Sequence, residues 1–408
     1  MKILHIIASV DPRTGGPIQG VVLSSQIWRA HGHERDILSL DPPTAPWVGA
    51  CPVTTFAVGM KGPVHDWIRR RLPWARYAYT PGLKRWLTRN VSQYDAVVVN
   101  GLWNYASLGA WRALRGTATP FFVFPHGMLD PWFNEAYPLK AFFKTLYWRL
   151  FEHKTLRDAR GVLFTCEEER RRAATSFRPY RAREAVVGYG ARAAEGDPVA
   201  QRTSFAAAAP GLDGRNFILF VGRIHEKKGV DLLIGAFSRI ATEFPDLDLV
   251  IAGPDTSGLR GRLEAIGAGQ DFARRIHWPG MLVGDAKWGA FRSARFFVLP
   301  SHQENFGVAV AEALSLGVPV LVTDKVNIWR EVEADGAGIV VSDDALGVEQ
   351  GLRRMCALSP ARSAAMAEAA RACFAARYDL NANALNLLDL MRGMCADEGA
   401  PRLQQEGS

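Results

Sequence analysis

The chain has 408 residues, enough for two or three domains, and its 48% hydrophobic and 22% charged residues are typical of an ordinary globular protein. The net charge of +8 favours an anionic partner such as a nucleotide, a phospholipid surface or a nucleic acid. Five scattered cysteines without a Cys-x-x-Cys pair argue against a zinc site or a disulfide framework and favour a reducing compartment.

The N-terminal half consists of short apolar runs separated by helical patterns. A strand is predicted over 2–9, where the sequence favours a first strand over a signal peptide, and a helix follows over 18–32. Further strands are predicted over 35–40, 95–101, 120–127, 161–166 and 184–190. Because these runs are apolar throughout and do not alternate, they are typical of strands buried on both faces of a parallel sheet.

The composition changes at 192–216, a segment rich in Ala, Gly, Pro and polar residues that we interpret as a linker. A second series follows, with a helix over 229–244 and strands over 217–222, 247–253, 276–280, 295–301, 319–324 and 337–341. The residues from 360 to 394 show a helical pattern. No apolar run reaches about 18 residues, so we expect no membrane-spanning helix.

These elements predict an α/β protein with two Rossmann-like, doubly wound parallel-sheet domains facing a cleft. The expected divisions are an N-terminal domain over 1–191, the linker over 192–216, a C-terminal domain over 217–375, a helix over 376–394 that could cross back to the N-terminal domain, and a frayed tail over 395–408. Ligands of such sheets bind beyond the carboxyl ends of the strands, so the loops there are the candidate sites.

The loop after the strand over 217–222 carries two cations. Arg223 and Lys228 precede a helix that opens at Gly229. Free backbone N–H groups at a helix start, together with a guanidinium and an ammonium group, suit a diphosphate. A solvated, charged turn is the alternative interpretation.

The loop after the strand over 295–301 leads into a helix that we expect to begin near Phe306 or Gly307. Glu304 lies just before this helix and Glu312 one and a half turns inside it. Eight helical residues would span ~12 Å, which suits the two ends of an extended ligand better than an acid–base pair at one bond. In the alternative, Glu304 interacts only with the helix dipole and Glu312 faces solvent.

Four motifs occur in a characteristic order: Gly15-Gly16-Pro17, the sequence PHGMLDPW over 125–132, VGRIHEKKG over 221–229 and the Glu304-x7-Glu312 pair. Together they resemble the retaining glycosyltransferases of the large family 4, which have the GT-B fold, and the resemblance covers nearly the whole chain. The PHGMLDPW motif resembles the branch that builds bacterial exopolysaccharides, capsules and lipid-linked glycans. The family's usual Asn-Gly turn at the end of the N-terminal domain is replaced here by the sequence over 188–190.

The resemblance implies roles for four reactive side chains. Arg223 and Lys228 would hold the donor diphosphate, and Glu304 would contact the hydroxyls of the donor sugar. His126 would lie near the transferred sugar on the acceptor side, although a structural histidine is the alternative.

The resemblance also implies a set of donor-binding positions. Gly15 and Gly16 would approach the phosphates, Glu312 would bind the ribose, and Met281 falls in the loop that contacts the base. The remaining positions, which would surround the sugar and phosphate through their backbone, are Asn305, Phe306, Gly307 and Val308.

The expected reaction is transfer of a hexose-type sugar from a UDP- or GDP-sugar with retention of configuration. The two cations and the helix start would stabilise the leaving diphosphate, so we expect neither a metal nor another cofactor. The acidic residues over 246–248 lead into a strand and are not expected to bind metal. Rival interpretations are a GT-B epimerase, a phosphorylase and a non-catalytic module that binds nucleotide sugars or nucleic acid.

Two segments, over 65–90 and 137–154, interleave basic and aromatic residues. Such surfaces suit an anionic bilayer, although single-stranded nucleic acid or ordinary core packing with solvated arginines would use similar residues. We favour the membrane over nucleic acid. We therefore expect a cytoplasmic protein, peripheral on the inner face of the membrane, that acts on a polyprenyl-diphosphate-linked acceptor.

Overall fold

The computed structural model of the protein describes residues 1–60, 77–212, 214–255 and 257–396. These residues form two compact units. The first unit comprises Met1–Tyr189 together with the C-terminal residues from Asn381 onward, and the second comprises Gly190–Leu380. Within the described residues, no helix is both long enough and apolar enough to span a membrane.

The first unit is built on a seven-stranded parallel sheet in the order β3-β2-β1-β4-β5-β6-β7. Its strands are β1 (Lys2–Ile7), β2 (Glu34–Ser39), β3 (Thr55–Ala57), β4 (Ala96–Asn100), β5 (Phe121–Phe124), β6 (Gly161–Phe164) and β7 (Glu184–Val186). Every strand predicted in this half is present, although several end earlier than expected. Among the described residues of this half, only the edge strand β3 was missed, because its three residues are partly exposed and form no apolar run.

The helices of the first unit lie mainly between successive strands. They are α1 (Gly16–Ala30), α2 (Pro46–Gly49), α3 (Pro81–Asn90), α4 (Tyr105–Leu114), α5 (Trp132–Ala136), α6 (Pro138–Tyr147), α7 (His153–Asp158) and α8 (Glu167–Ser176). A π-helical segment, Trp148–Glu152, joins α6 to α7.

Alternate residues of the central strands face two different cores, so the sheet is covered on both faces. Val97 and Val99 of β4 pack in a core that includes residues of α3 and α4. Val98 packs on the opposite face, in a core that includes Trp28 of α1 and residues of a C-terminal helix (Leu380–Ala396). The Trp28 indole N–H also donates a hydrogen bond to the Ala384 carbonyl at 2.8 Å.

The second unit is built on a six-stranded parallel sheet in the order β10-β9-β8-β11-β12-β13. Its strands are β8 (Asn216–Val221), β9 (Leu247–Ala252), β10 (Ile276–Gly280), β11 (Phe296–Leu299), β12 (Val320–Thr323) and β13 (Gly338–Val341). Its helices are α9 (Pro198–Ala208), α10 (Val230–Ile240), α11 (Arg260–Ile266), α12 (Gly284–Ser293), α13 (Val308–Ser315), α14 (Trp329–Ala334), α15 (Ala345–Cys356) and α16 (Pro360–Cys373); the C-terminal helix in the first unit is α17.

The segment over 192–216 differs from the predicted linker because it contains helix α9. The Asp197 carboxylate accepts hydrogen bonds from two backbone N–H groups of the first turn, and Pro198 occupies the helix start, where proline is favoured. Gly289 of α12 lies directly against the Gln201 carbonyl, and a Cβ atom at Gly289 would overlap it. This helix therefore packs as part of the second unit.

Candidate active site

The order of the second sheet reverses at β8, whose two neighbours β9 and β11 lie on opposite sides. In doubly wound sheets, ligands bind beyond the carboxyl ends of the strands at such a switch point. Arg223 and Lys228 follow β8, and Glu304 follows β11. The structure thus brings three of the predicted site residues to the loops of two neighbouring strands.

Close backbone packing holds the two loops together. Gly229 has a φ of +62° and lies so close to the Pro300 carbonyl that a Cβ atom would overlap it. The His302 N–H donates a hydrogen bond to the Lys227 carbonyl at 2.9 Å. Gly229 therefore serves both the left-handed turn before α10 and the approach to the end of β11.

Lys228 and Glu304 form an ion pair across these loops. Their side chains are only 12% and 17% exposed. Glu304 is fixed by its backbone, since its N–H donates to the Lys325 carbonyl and its carbonyl accepts from the Asn327 N–H, each at 3.0 Å. The Lys228 cation and the Glu304 carboxylate are therefore fixed beside each other and largely shielded from water. The alternative interpretation, a solvated, charged turn, does not describe this pair.

The electrostatics of Lys228 favour an anionic ligand. Burial lowers the pKa of Lys228, and the positive charges of Lys227 and Arg223 lower it further. A diphosphate in the place that the Glu304 carboxylate now occupies would offset both effects, because an anion stabilises the charged form of the lysine. Arg223, in the same loop, is exposed.

Helix α13 begins at Val308, close to the predicted start, and Gly307 precedes it in a left-handed conformation with a φ of +78°. No side chain of the described residues caps this helix start. Phe306 is buried and its ring packs against Tyr378 at 5.4 Å between centroids. The Phe306 ring is therefore not available to a ligand, and the backbone contacts expected for the residues from Asn305 to Val308 stay a prediction.

Glu312 lies on α13 and pairs with Lys287 of α12 at 2.7 Å. Burial raises the pKa of Glu312, and the nearby Lys287 opposes this effect. Lys287 also lies over the Trp288 ring, 4.3 Å from its centroid. Sequence reasoning missed Lys287, whose only local signal is a cation beside a tryptophan. Met281 follows β10 at the same edge of the sheet and is exposed.

Of the two acidic residues over 246–248, Asp246 is exposed and Asp248 has structural partners. Asp248 is buried inside the strand, where its carboxylate accepts from Arg215 at 2.8 Å and from His277 at 2.7 Å. Among the residues that the structure describes, no group of three or more potential metal ligands is present.

His126 lies in the first unit, in the loop after β5. Its backbone has a φ of +52°, a strained conformation for a residue with a side chain, and its ring stacks on Phe124 with centroids 4.2 Å apart. Its Nε2 lies 3.1 Å from the Asn100 Oδ1, and the Asn100 amide contacts His5 Nδ1 at 3.1 Å. Because an amide oxygen only accepts, His126 carries its proton on Nε2 and leaves Nδ1 as an acceptor.

Burial lowers the pKa of His126 to about 3, so the ring is neutral near pH 7. A neutral imidazole in this position is suited to hydrogen bonding with a sugar hydroxyl, and a positive charge there is disfavoured. Asn100 and His5 were not identified from the sequence, where both read as parts of apolar strands.

Gly15 and Gly16 lie in the loop after β1 at the start of α1. Gly15 has a φ of +96°, which favours glycine, and a Cβ atom built at either position would meet nothing within 4 Å. The Tyr189 hydroxyl donates a hydrogen bond to the Gly16 carbonyl at 2.9 Å. The Tyr189 hydrogen bond therefore holds the loop in place, while the space beside both glycines is open.

A buried network after β4 was also missed. Trp103 has a φ of +65°, and its backbone N–H donates to Glu152 at 2.9 Å. The Ser107 hydroxyl donates to the same carboxyl oxygen at 2.6 Å. Burial raises the pKa of Glu152 to about 7. This carboxyl group ties the π-helical segment after α6 to the strained loop at the carboxyl end of β4.

Comparison with known proteins assigns both units to glycosyltransferases. Residues 15–190 match the model of the glycosyl transferase 4-like domain, and residues 203–372 match that of glycosyl transferases group 1. A D-inositol 3-phosphate glycosyltransferase from Gordonia bronchialis is 26% identical over 80% of this chain and 72% of its own length. A phosphatidyl-myo-inositol mannosyltransferase from Mycolicibacterium smegmatis is 36% identical over 36% of this chain and 38% of its own length.

The first curated relatives are each matched over about a third of their own length. Solved structures agree over nearly the whole chain. A sucrose-phosphate synthase from Thermosynechococcus elongatus has a TM-score of 0.71 at 19% identity, covering 97% of this chain and 99% of that one. HepE from Anabaena, solved with UDP and glucose, has a TM-score of 0.72 at 15% identity, covering 96% of this chain and 100% of that one.

The two matched domains lie in the order expected from the motifs, and the sheets of both units have the topology of the solved relatives' fold. The chain thus combines a match to the glycosyl transferase 4-like domain with a following match to glycosyl transferases group 1, and it has the GT-B fold of the solved relatives.

Proposed function

We propose that the protein transfers a hexose-type sugar from a nucleoside-diphosphate sugar to a glycan acceptor, with retention of configuration. The observation that carries the proposal is the Lys228–Glu304 pair at the switch point of the second sheet. A diphosphate needs a cation and a sugar needs hydrogen-bond acceptors, and this pair offers both side by side. Membership of a glycosyltransferase family supports this use of the site.

Donor binding would exchange the partners of this pair. The diphosphate would bind the Lys228 ammonium group, with Arg223 as a second cation. The Glu304 carboxylate, no longer paired with Lys228, would then accept hydrogen bonds from the sugar hydroxyls. The uncapped start of α13 at Gly307 adds backbone N–H groups and the positive end of the helix dipole. Such groups stabilise the charge that develops on the leaving diphosphate.

The bond between the anomeric carbon and the diphosphate oxygen breaks as the acceptor oxygen bonds to the same face of that carbon. The acceptor proton passes to an oxygen of the departing diphosphate, so no protein base is needed. We propose that this step proceeds without a metal or another cofactor. Activity that persists in excess EDTA would support this proposal, and activity restored only by a divalent cation would contradict it.

The remaining donor contacts follow from the resemblance and stay predictions. Glu312 would accept from the ribose hydroxyls once it leaves Lys287, and the exposed loop at Met281 would contact the base. Gly15 and Gly16 would approach the phosphates, and His126 would position the sugar or the acceptor.

UDP and GDP sugars both remain candidate donors, and UDP is the first to test because HepE was solved with UDP and with UDP-glucose. For the acceptor, two relatives are named for inositol-containing compounds, one of them a phospholipid. We propose a polyprenyl-diphosphate-linked glycan for this chain, in bacterial surface polysaccharide synthesis, because of its basic and apolar surface on the first unit.

That surface differs in detail from the one predicted. Residues 65–76 lie outside the described residues, and within 137–154 the large aromatic Trp148 is buried in the core. Helix α6 and the segment after it instead expose an apolar stripe, formed by Leu139, Phe142, Phe143, Leu146 and Leu150. Leu139 is 81% exposed and both phenylalanines are 68% exposed.

The residues of the stripe recur at helical spacing and lie on the exposed face of the helix. A helix of a globular protein normally packs this apolar face against the core. A contiguous apolar patch of this kind marks a surface that contacts a partner or a membrane. We propose that it rests on the cytoplasmic face of an anionic membrane, where a lipid-linked acceptor would be found.

The test is mass spectrometry of the products formed from UDP- and GDP-sugars with a polyprenyl-diphosphate-linked acceptor, after a thermal-shift screen for the donor. The proposal expects addition of one hexose and nuclear magnetic resonance signals that retain the donor's anomeric configuration. A non-catalytic module would bind the donor without forming product, and an epimerase would change the donor without consuming it.

A further inference from the structure

A cavity with a cationic lining lies in the first unit, between residues of α3, α4 and the segment after α6. It has a volume of about 270 Å³ and is lined by four cationic side chains, Lys84, Arg112, Arg115 and Lys154. Trp111, Leu150 and Phe151 complete the lining. Among the described residues, no carboxylate lines the cavity.

The four cations are unpaired within the described part of the chain, since none of them forms an ion pair there. Asp158 lies nearby, where it accepts from the Trp111 indole at 2.8 Å, but its carboxylate is already paired with Arg157 at 2.8 Å. Four like charges around one cavity repel one another, and an anion bound in the cavity would offset this repulsion. A phosphate group, which arginine can bind through two parallel hydrogen bonds, fits this lining.

The cavity is continuous with the apolar stripe. Leu150 belongs to the stripe and also lines the cavity. The helices that supply the lining pack on the same face of the first sheet, in the core shared by α3, α4 and Trp148. Apolar side chains beside a cationic cavity match an acyl region beside a phosphate headgroup.

We infer that this cavity binds the phosphate of an anionic phospholipid headgroup while the apolar stripe enters the outer part of the same bilayer. The inference rests on the proposed attachment of the first unit to a membrane. It adds a headgroup site that is separate from the donor site, so binding there is measurable without turnover.

Flotation of the full chain with vesicles tests the inference, using phosphatidylcholine alone and phosphatidylcholine mixed with phosphatidylglycerol. Arg112→Gln combined with Arg115→Gln removes two of the four positive charges that line the cavity. Each basic residue at a membrane surface contributes roughly a fivefold effect on partitioning, so we expect about 30-fold weaker binding to the anionic vesicles.

The matched control removes the same charge from the opposite face of the first sheet. Arg29 and Arg392 are exposed on α1 and α17, which cover that face. Arg29→Gln combined with Arg392→Gln should bind the anionic vesicles within threefold of the wild type. Equal losses in the two double variants would show a general charge effect and would overturn the inference.

Two further arms separate the other sources of binding. Phe142→Ser combined with Phe143→Ser should weaken binding to vesicles of both compositions, whereas the cavity variant should keep its weak binding to neutral vesicles. Inorganic phosphate at millimolar concentration should leave flotation unchanged if the headgroup is held together with its bilayer. Displacement by free phosphate, or binding of the cavity variant equal to that of the wild type, would contradict the proposal.

Donor hydrolysis by the same variants keeps the two proposals distinguishable. Arg112→Gln with Arg115→Gln leaves the second unit untouched, so hydrolysis of a soluble nucleotide sugar should match the wild type. Absence of hydrolysis in every variant, with flotation as expected, would remove the proposed transferase activity and keep the headgroup site.

Discussion

Replacing Lys228 by methionine tests the electrostatic core of the donor site. The change removes the ammonium group but keeps an unbranched side chain of similar length. Two effects should follow: loss of a charge that stabilises the leaving diphosphate, and loss of the partner of Glu304. The first affects activity and the second affects the free energy of unfolding.

The structure sets the size of both effects. Loss of one preorganised group facing a developing charge costs on the order of 100- to 1,000-fold in kcat. Breaking a fully buried ion pair by removing one partner costs about 3–5 kcal/mol. Because Lys228 and Glu304 retain 12% and 17% exposure, water can reach the remaining carboxylate, and we expect roughly 1–3 kcal/mol.

The assay is the initial rate of sugar transfer, or of donor hydrolysis, at saturating nucleotide sugar and well below the melting temperature, with denaturant unfolding measured in parallel. Lys227→Met is the matched control, since it removes the same charge one residue away, where the ammonium group is 3.4 Å from Gln303. We expect less than a threefold loss in the control. Equal rates for the wild type and Lys228→Met, or equal losses in both variants, would refute the assigned role.

Three further outcomes follow from the site. The pKa of His126 is lowered to about 3, against about 6.5 in the unfolded chain, so the unfolded chain binds this proton first as the pH falls. The free energy of unfolding of the wild type should therefore fall by up to about 1.4 kcal/mol per pH unit below pH 6.5. Urea unfolding should show a shallower loss in His126→Gln, and identical pH profiles would contradict the burial argument. Gly229→Ala should lower the melting temperature by several degrees, because the new Cβ atom would overlap the Pro300 carbonyl and the residue has a positive φ. As a control, Gly235→Ala inside α10, where the space around the residue is open, should be neutral or stabilising. An unchanged melting temperature in Gly229→Ala would contradict this reasoning. Glu312→Ala should raise the KM for the nucleotide sugar at least tenfold, with a smaller change in kcat. Titration calorimetry should show the same loss of affinity for the free nucleotide. Unchanged nucleotide affinity would exclude Glu312 from the ribose site.

Most strands were predictable because a strand buried on both faces of a parallel sheet must be apolar along its whole length. Strand β3 (Thr55–Ala57) is only three residues long and partly exposed, so it left no recognisable pattern. Helix α9 was missed for another reason: its Ala-rich composition resembles a linker, and only its packing against α12 reveals it as part of the second unit.

The same limit applies to the site. Arg223, Lys228 and Glu304 were identified because each follows a strand of the sheet, where chemistry is concentrated. The pairing of Glu312 with Lys287 depends on how α12 packs beside α13, and no spacing in the sequence encodes it. Partners that come from distant parts of the chain require the tertiary structure.

Glu152 gives the clearest example of such a partner. It lies within a basic and aromatic segment that reads as surface, yet its carboxyl group is fully buried and accepts from the Trp103 N–H and the Ser107 hydroxyl. Glu152 is the last residue of a π-helical turn, which the sequence periodicity of an ordinary helix does not predict.

The proposed function depends on the claim that the second unit binds a nucleotide sugar for transfer, with Glu304 holding the sugar. The most direct measurement is the rate at which wild type and Glu304→Gln release sugar from the preferred nucleotide sugar, with nucleotide affinity determined for both. We expect at least a 100-fold slower release in Glu304→Gln, with affinity for the free nucleotide within threefold of the wild type. Equal rates of sugar release in the two proteins would contradict the claim.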